Sequence, residues 1–192
     1  MNIGITLTSS LHVGQEYIDL AREVSKKLAE ANYGVVYGGT AYGLMLELAE
    51  SYKNAGGGQL IGVMSKDLIA VTKGYEAYDK LDEKYVLETI GLRKDKIIEL
   101  SDAMLILPGG YGTIEEFITV TGGKVNKLFD KPIAIYNHKG FYNTLIKFFD
   151  ELYLASFSKV KFSDVVFVSE NLNDILKYFE SYKPTEIQDK FV

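Results

Sequence analysis

Short apolar runs alternate along the chain with longer stretches in which apolar residues recur every three to four positions. The short runs are typical of buried strands, and the longer stretches are typical of helices with one buried face. In residues 16–31, the apolar residues that share one helical side are Ile18, Ala21, Val24 and Leu28. The predicted strands are residues 3–7, 35–37, 60–63, 85–87, 103–107, 133–136 and 165–168. The predicted helices are residues 16–31, 43–53, 93–100, 114–120, 141–152 and 172–182.

This alternation of strands and helices predicts the fold class. Successive βαβ units place their strands in a parallel sheet with helices on both faces. We therefore predict an α/β protein with one doubly wound Rossmann-like domain over residues 1–182, a mainly parallel sheet, and a C-terminal tail at 183–192. Residues 65–84 break the periodicity, and we interpret them as a long connection that crosses the sheet.

The composition argues against several classes of function. A net charge of −5 is unfavourable for binding nucleic acid, which requires a basic face. The absence of cysteine excludes disulfides, thiolate metal sites and a cysteine nucleophile. Two histidines leave little material for a zinc site or a Ser-His-Asp triad, so we predict no metal. No apolar stretch approaches the ~20 residues of a membrane span, and the first ten residues read as a strand, so we expect a cytoplasmic protein.

Three loops with glycines or small polar residues each follow a predicted strand. They lie at residues 8–10 (TSS), 38–40 (GGT) and 108–113 (PGGYGT). In open parallel sheets, ligands bind beyond the carboxyl ends of the strands, at the point where the strand order reverses. The three loops are therefore predicted to converge on one binding site.

The third loop leads into a predicted helix, and residues 108–116 read PGGYGTIEE. A glycine-rich turn before a helix exposes backbone N–H groups at the positive end of the helix dipole, where phosphates bind readily. The same segment places the carboxylate of Glu116 near that turn. A phosphate site beside an acid suggests chemistry on a nucleotide or a sugar phosphate.

The segment PGGYGTIEE resembles the PGGxGTxxE signature of the LOG ("Lonely Guy") family of nucleotide 5′-monophosphate phosphoribohydrolases, whose members are often labelled lysine decarboxylases. Further segments resemble that family in the same order: IGITLTSS at 3–10, VVYGGTAYGLM at 35–45, the pair Arg93-Lys94, and the N-x-x-G-x-Y element at 137–142. The resemblance covers roughly residues 3–180.

The resemblance implies an N-glycosyl hydrolase. Such an enzyme cleaves the base from a nucleoside 5′-monophosphate, either a cytokinin riboside monophosphate or an AMP-like nucleotide, and releases ribose 5-phosphate without a cofactor. A small-molecule nucleotide as the partner and a homodimer are implied as well. The implied catalytic residues are Glu116 and Arg93. The implied substrate-binding residues are Ser10, Gly39, Thr40, Arg93, Lys94, Gly109, Gly110, Tyr111, Gly112, Thr113 and Glu116.

Several of these residues have a second interpretation. Thr113 and Glu116 also match a capping box, in which Thr113 would begin the helix and Glu116 would bond back to its N–H. Arg93 and Lys94 are predicted to open a helix, where cations oppose the dipole; they either meet an anion or form a solvated charged face. Ser10 and Thr40 either contact the ligand or serve local turns and caps.

The chain departs from the family pattern around the expected base. Gly91-Leu92 stand where many cytokinin-activating members have His-Glu. The acidic residue expected after the third strand has no clear counterpart: Thr72 is near its place, and Glu76 is the other candidate. The pattern for handling a phosphoribosyl group is therefore intact, whereas the base is not identified. The alternative functions are a molybdenum-cofactor carrier on the same fold, and a nucleotide-binding regulator without hydrolase activity.

Overall fold

The computed structural model describes residues 1–10, 12–184, 186 and 187. Most of the predicted tail at 183–192 therefore lies outside the described residues. The seven strands are β1 (Asn2–Thr6), β2 (Gly34–Tyr37), β3 (Leu60–Ser65), β4 (Glu83–Leu87), β5 (Ala103–Ile106), β6 (Ile133–Tyr136) and β7 (Phe167–Ser169). The helices are α1 (Gln15–Glu30), α2 (Gly43–Asn54), α3 (Lys66–Val71), α4 (Ile90–Leu100), α5 (Tyr111–Val125), α6 (Asn143–Leu154), α7 (Phe162–Val165) and α8 (Leu172–Glu180).

All seven strands form one sheet in the order β4-β3-β2-β1-β5-β6-β7, and every neighbouring pair is parallel. The strands β2, β3, β5 and β6 are buried along their whole length, which matches their continuous apolar sequences. At the sheet edge, β4 instead alternates half-buried and exposed residues. This arrangement confirms the predicted α/β class and the parallel sheet.

Apolar side chains cover both faces of the sheet. One core contains residues of α1, α2 and α8, among them Val24, Leu48 and Ile175. The other contains residues of α4, α5 and α7, among them Ile97 and Phe117. Helices on both faces confirm the doubly wound arrangement, since each βαβ crossover buries a helix against the sheet.

The predicted start of α5 was wrong. The helix begins at Tyr111, and its N-cap position is Gly110, so Thr113 lies inside the first turn. Glu116 therefore cannot form a capping box with Thr113, and its side chain bonds to Arg93 instead. The glycines at 110 and 112 hid the start of the helix, because glycine has a low helix propensity.

The predicted start of α4 was also wrong. The helix begins at Ile90, and the Thr89 side chain caps it by accepting from the N–H of Leu92. Arg93 and Lys94 consequently lie one turn into the helix rather than at its opening. The argument from the helix dipole is weaker there, because the effect falls off within the first turn.

Residues 65–84 contain structure that their aperiodic sequence did not reveal. The short helix α3 follows β3 directly, and none of its residues is buried. The chain then returns toward β2, where Thr40 and Ala77 form an antiparallel bridge. Two backbone bonds fix this contact, from Ala41 N to Glu76 O at 2.8 Å and from Tyr78 N to Gly39 O at 2.9 Å.

No helix in the part of the chain described by the structure is long and apolar enough to cross a membrane.

Candidate functional site

A cavity of about 410 Å³ opens at the carboxyl ends of the central strands. Its walls come from the loop after β1, the start of α2, the segment after β3, helix α4 and the start of α5. The strand order reverses between β1 and β5, since β2 lies on one side of this pair and β6 on the other. The cavity therefore occupies the place where open α/β sheets bind ligands, and its volume lies in the range typical of small-molecule sites.

The glycine loop forms one end of this cavity. No side chain among the described residues caps α5 at Gly110, so the first N–H groups of the helix are directed out of its end without intrahelical partners. A Cβ atom added at Gly110 or Gly112 would meet nothing within 4 Å, and both residues line the cavity. These N–H groups and the open space above them form a site suited to a phosphate.

The remaining residues of the loop have other positions. A Cβ atom at Gly109 would collide with the Thr113 side chain, so this glycine permits the loop to pack on its own helix. Gly109 lies outside the cavity lining, whereas Tyr111 and Thr113 contribute to it. The Tyr111 side chain is 95% exposed, so it forms part of the cavity rim.

Arg93 and Glu116 form a buried ion pair in the cavity wall. Arg93 Nη1 donates to Glu116 Oε1 at 2.7 Å, and the two side chains are 4% and 13% exposed. Arg93 Nε also donates to the backbone oxygen of Val63 at 2.9 Å. The guanidinium is thus fixed between β3 and α5, and it holds one carboxylate oxygen of Glu116 in place.

Burial raises the pKa of Glu116, and the charge and hydrogen bond of Arg93 oppose that rise. Removal of the carboxylate from water disfavours its ionised form, whereas the guanidinium favours it. A perturbed carboxyl with a specific charged partner, placed in a cleft, is characteristic of functional sites.

Lys94 has a different neighbourhood from Arg93. Its Nζ donates to Glu115, and a longer bond of 3.4 Å joins it to Thr119 Oγ1. Lys94 lies outside the lining of this cavity, whereas Glu115 contributes to the lining. The two neighbouring cations therefore have different partners on α5: Arg93 pairs with Glu116, and Lys94 pairs with Glu115.

The glycines after β2 permit close packing of the backbone. A Cβ at Gly39, whose φ is +75°, would lie 2.9 Å from Gly62 Cα. A Cβ at Gly43, whose φ is +57°, would collide with the backbone of Ser9. Both positions thus require glycine for steric and conformational reasons. Gly39 and Thr40 both lie outside the cavity lining.

Thr40 and Ser10 are both polar, but their surroundings differ. Thr40 is fully buried, and its Oγ1 has no hydrogen-bond partner among the described residues. Ser10 is partly buried; its N–H donates to Thr8 Oγ1 and its Oγ accepts from the N–H of His12, in successive local turns. Ser10 also lies outside the cavity lining, whereas its neighbours Thr8 and Ser9 contribute to that lining.

Sequence reasoning considered only Thr72 and Glu76 in one whole wall of the cavity. This wall is formed by the segment after β3 and includes Leu68, Thr72, Lys73, Gly74 and Tyr75. Gly74, whose φ is +77°, was the clearest signal, because it marks a turn. Of the two residues considered for the missing acid, Thr72 lines the cavity and Glu76 is exposed outside it.

The family model described as "Possible lysine decarboxylase" matches residues 45–179, a range that includes Arg93, the glycine loop and Glu116. The chain belongs to this family. The match confirms the resemblance that the glycine signature suggested.

Curated relatives connect the family to an activity. LOGL2 of Oryza sativa subsp. japonica, a probable cytokinin riboside 5′-monophosphate phosphoribohydrolase, is 32% identical over 168 residues, which cover 88% of this chain and 67% of the rice protein. LOG1 of Arabidopsis thaliana, a cytokinin riboside 5′-monophosphate phosphoribohydrolase, is also 32% identical over 168 residues, covering 88% of this chain and 77% of its own length.

Solved structures of the same fold include proteins that are named for the molybdenum cofactor. The molybdenum cofactor carrier protein of Chlamydomonas reinhardtii superposes with a TM-score of 0.70 at 21% identity, covering 93% of this chain and 95% of its own. The molybdenum cofactor binding protein of Rippkaea orientalis gives 0.64 at 18% identity, with 94% and 97% covered. At these identities the likeness concerns the fold alone.

Proposed function

We propose that this protein hydrolyses the N-glycosidic bond of a nucleoside 5′-monophosphate and releases the free base and ribose 5-phosphate. The observation that carries the proposal is the buried Arg93–Glu116 pair, which lies in the wall of a nucleotide-sized cavity one helical turn from the open glycine loop. The curated relatives support it, because those that match most of this chain carry the name of this activity.

The 5′-phosphate is expected to bind at the start of α5. The unpaired N–H groups there, together with the dipole of a 15-residue helix, favour an anion. Gly110 and Gly112 allow the phosphate oxygens to approach the backbone closely, since no Cβ atom stands in the way. Bound in this way, the phosphate directs the ribose toward Glu116.

Glu116 would stabilise the reacting sugar. As the bond between C1′ and the base breaks, its electron pair goes to the base and positive charge develops on the ribose. A carboxylate held near C1′ stabilises this oxocarbenium-like state and can orient the attacking water. The water oxygen then bonds to C1′, one of its protons remains on the new hydroxyl, and the other balances the charge of the released base.

Arg93 would position Glu116 for this step. Its guanidinium always carries a proton, so it is a poor general acid but a stable hydrogen-bond donor. Because it bonds both Glu116 and the Val63 carbonyl, it fixes the carboxylate relative to the sheet. It also provides positive charge beside the phosphate site.

A nucleotide panel tests the proposal. The purified protein is incubated with AMP, GMP, CMP, UMP and a cytokinin riboside 5′-monophosphate, and free base and ribose 5-phosphate are quantified together. The cytokinin nucleotide is included because the relative LOG1 is named as a hydrolase of this substrate. We expect equimolar base and ribose 5-phosphate from at least one purine nucleotide, and far slower release from the matching nucleoside, which lacks the phosphate.

Release of neither product from any nucleotide would contradict the proposal. A pterin that copurifies with such an inactive protein would favour the carrier function instead. Tight nucleotide binding without turnover would favour the regulator.

A further inference from the structure

Tyr75 lies on the cavity wall that is formed by the segment after β3. The residue follows the Gly74 turn between α3 and β4, is partly buried, and lines the same cavity as Arg93 and Glu116. Its hydroxyl oxygen is 3.5 Å from the carbonyl oxygen of Gly38. A Cβ atom at Gly38 would collide with Arg93 Nη2, so the Arg93 guanidinium packs against the same glycine. Gly38 thus brings the phenol close to the ion pair.

The Tyr75 hydroxyl is suited to donate a hydrogen bond to a ligand. Its contact with Gly38 is at the long limit for a hydrogen bond, where the interaction is weak. Burial raises the pKa of this phenol, Glu116 and Asp67 raise it further, and Arg93 opposes the rise, so the hydroxyl keeps its proton at neutral pH. A protonated phenol with a weak partner can turn its O–H toward a better acceptor.

The proposed hydrolysis requires a donor of this kind. The base leaves with the electron pair of the glycosidic bond, so negative charge develops on its ring. Glu116 must be ionised to stabilise the sugar and therefore only accepts, and Arg93 already donates to Glu116 and Val63. Lys94, which lies outside the cavity lining, pairs with Glu115. Tyr42 and Tyr111 also line the cavity but are 46% and 95% exposed, whereas the partly buried Tyr75 has its O–H near the ion pair.

We propose that Tyr75 is a catalytic residue that donates a hydrogen bond from its hydroxyl to the leaving base as the glycosidic bond breaks. The hydrogen bond stabilises the charge that develops on the base, and Tyr75 retains its proton at the end of the step. This inference rests on the proposed phosphoribohydrolase function. It assigns the wall formed by the segment after β3 to the leaving base.

The test compares Tyr75→Phe with the wild type on two substrates of different leaving group. The first is the best nucleotide of the panel, whose base is a poor leaving group. The second is p-nitrophenyl β-D-ribofuranoside 5-phosphate, whose leaving group is a stable anion that gains little from a donor. On the nucleotide, we expect kcat to fall roughly tenfold or more with little change in KM, because a donor used in the transition state is lost. On the nitrophenyl substrate, kcat is expected to stay close to the wild-type value.

Tyr78→Phe is the matched control. Tyr78 belongs to the same segment and is buried outside the cavity lining, so loss of its hydroxyl should affect both substrates equally and slightly. Normal nucleotide turnover by Tyr75→Phe would overturn the assignment, and so would an equal loss on both substrates, which would indicate a structural role. If the wild type cleaves neither substrate, the proposed function itself fails, and this outcome is distinct from a failure of Tyr75 alone.

Discussion

Two walls of the cavity are constructed differently. The first, which we call the motif wall, consists of Arg93 on α4 and of Gly110–Thr113, Glu115 and Glu116 on α5. The second, the crossing wall, consists of Leu68 and residues 72–75 on the segment after β3. In the motif wall, a buried ion pair fixes the functional side chains between regular elements. In the crossing wall, α3 has no buried residue, and two backbone bonds near Gly39 and Ala41 attach the following segment to the loop after β2.

Under the proposed function, we expect the two walls to act on different parts of the substrate. Groups that must hold a phosphate and a reacting C1′ atom need a precise geometry, and rigid elements supply it. A wall that accepts a base can vary with less effect on the fold, since few core contacts depend on it. We therefore expect changes in the motif wall to alter the rate for every substrate. Changes in the crossing wall should instead depend on the leaving base.

Glu116→Gln gives the largest expected effect on the motif wall. The amide fills the same space and still accepts from Arg93, so the free energy of unfolding should change by about 1 kcal/mol. The negative charge opposite C1′ is lost, so turnover should fall roughly 10²-fold or more on all substrates. Glu99→Gln, an exposed carboxylate on α4 outside the cavity lining, is the control and should remain close to wild type. Full activity of Glu116→Gln would refute the catalytic assignment.

Arg93→Ala should impair both the fold and the site. Truncation leaves Glu116 and the Val63 carbonyl without their donor, and breaking a buried pair costs about 3 kcal/mol. We expect kcat/KM to fall by about 10²-fold and thermal unfolding to shift to lower temperature. Arg93→Lys keeps the charge but loses the planar fork, so it should recover stability more than activity. An Arg93→Ala protein with normal kinetics would show that the pair is merely structural.

The pH dependence should follow the ionisation of Glu116. Because burial raises the pKa of this carboxyl, the acid limb of kcat/KM should lie above the ordinary range of a glutamate. Below that pKa, Glu116 is protonated and kcat/KM should fall about tenfold per pH unit; above it, the ionised form is present and activity is retained. The limb should be absent from the residual activity of Glu116→Gln. An identical limb in that variant would assign the titration to another group.

Gly112→Ala tests the open glycine loop. A Cβ at this position would meet no protein atom, so the fold should tolerate it, but the methyl group would lie where the phosphate is expected. We expect KM to rise by about tenfold, which corresponds to about 1.4 kcal/mol of binding free energy. Gly122→Ala in the same helix also meets open space and should leave KM unchanged. Equal KM values for the two variants would argue against phosphate binding at this loop.

Thr40→Val should have the smallest effect. The sequence predicted a ligand contact for Thr40, but its hydroxyl is buried outside the cavity lining and has no partner among the described residues. Valine has the same shape and removes the unsatisfied oxygen, so stability should be equal or higher by about 1 kcal/mol or less. We expect kcat and KM to be unchanged. A clear increase in KM would restore the predicted role of Thr40.

The fold followed from the sequence more completely than the site did. Every predicted strand occurs within a few residues of its place, and the most regular of them, β2, β3, β5 and β6, are buried parallel strands with continuous apolar runs. Helix starts were less accurate at α4 and α5. The Thr89 cap determines the start of α4, and glycines determine the start of α5. Neither feature contributes to the periodicity of apolar residues from which the helices were predicted.

The sequence alone determined the layered α/β architecture and the convergence of the glycine loop with the loop after β1. These features depend on local patterns, namely strand periodicity and a glycine turn before a helix. Only the tertiary structure showed that Gly39 and Gly43 serve backbone packing, that Lys94 lies outside the cavity lining, and that Tyr75 lines the same cavity as the ion pair. Those facts depend on contacts between segments far apart in the chain, whose distances no local pattern encodes.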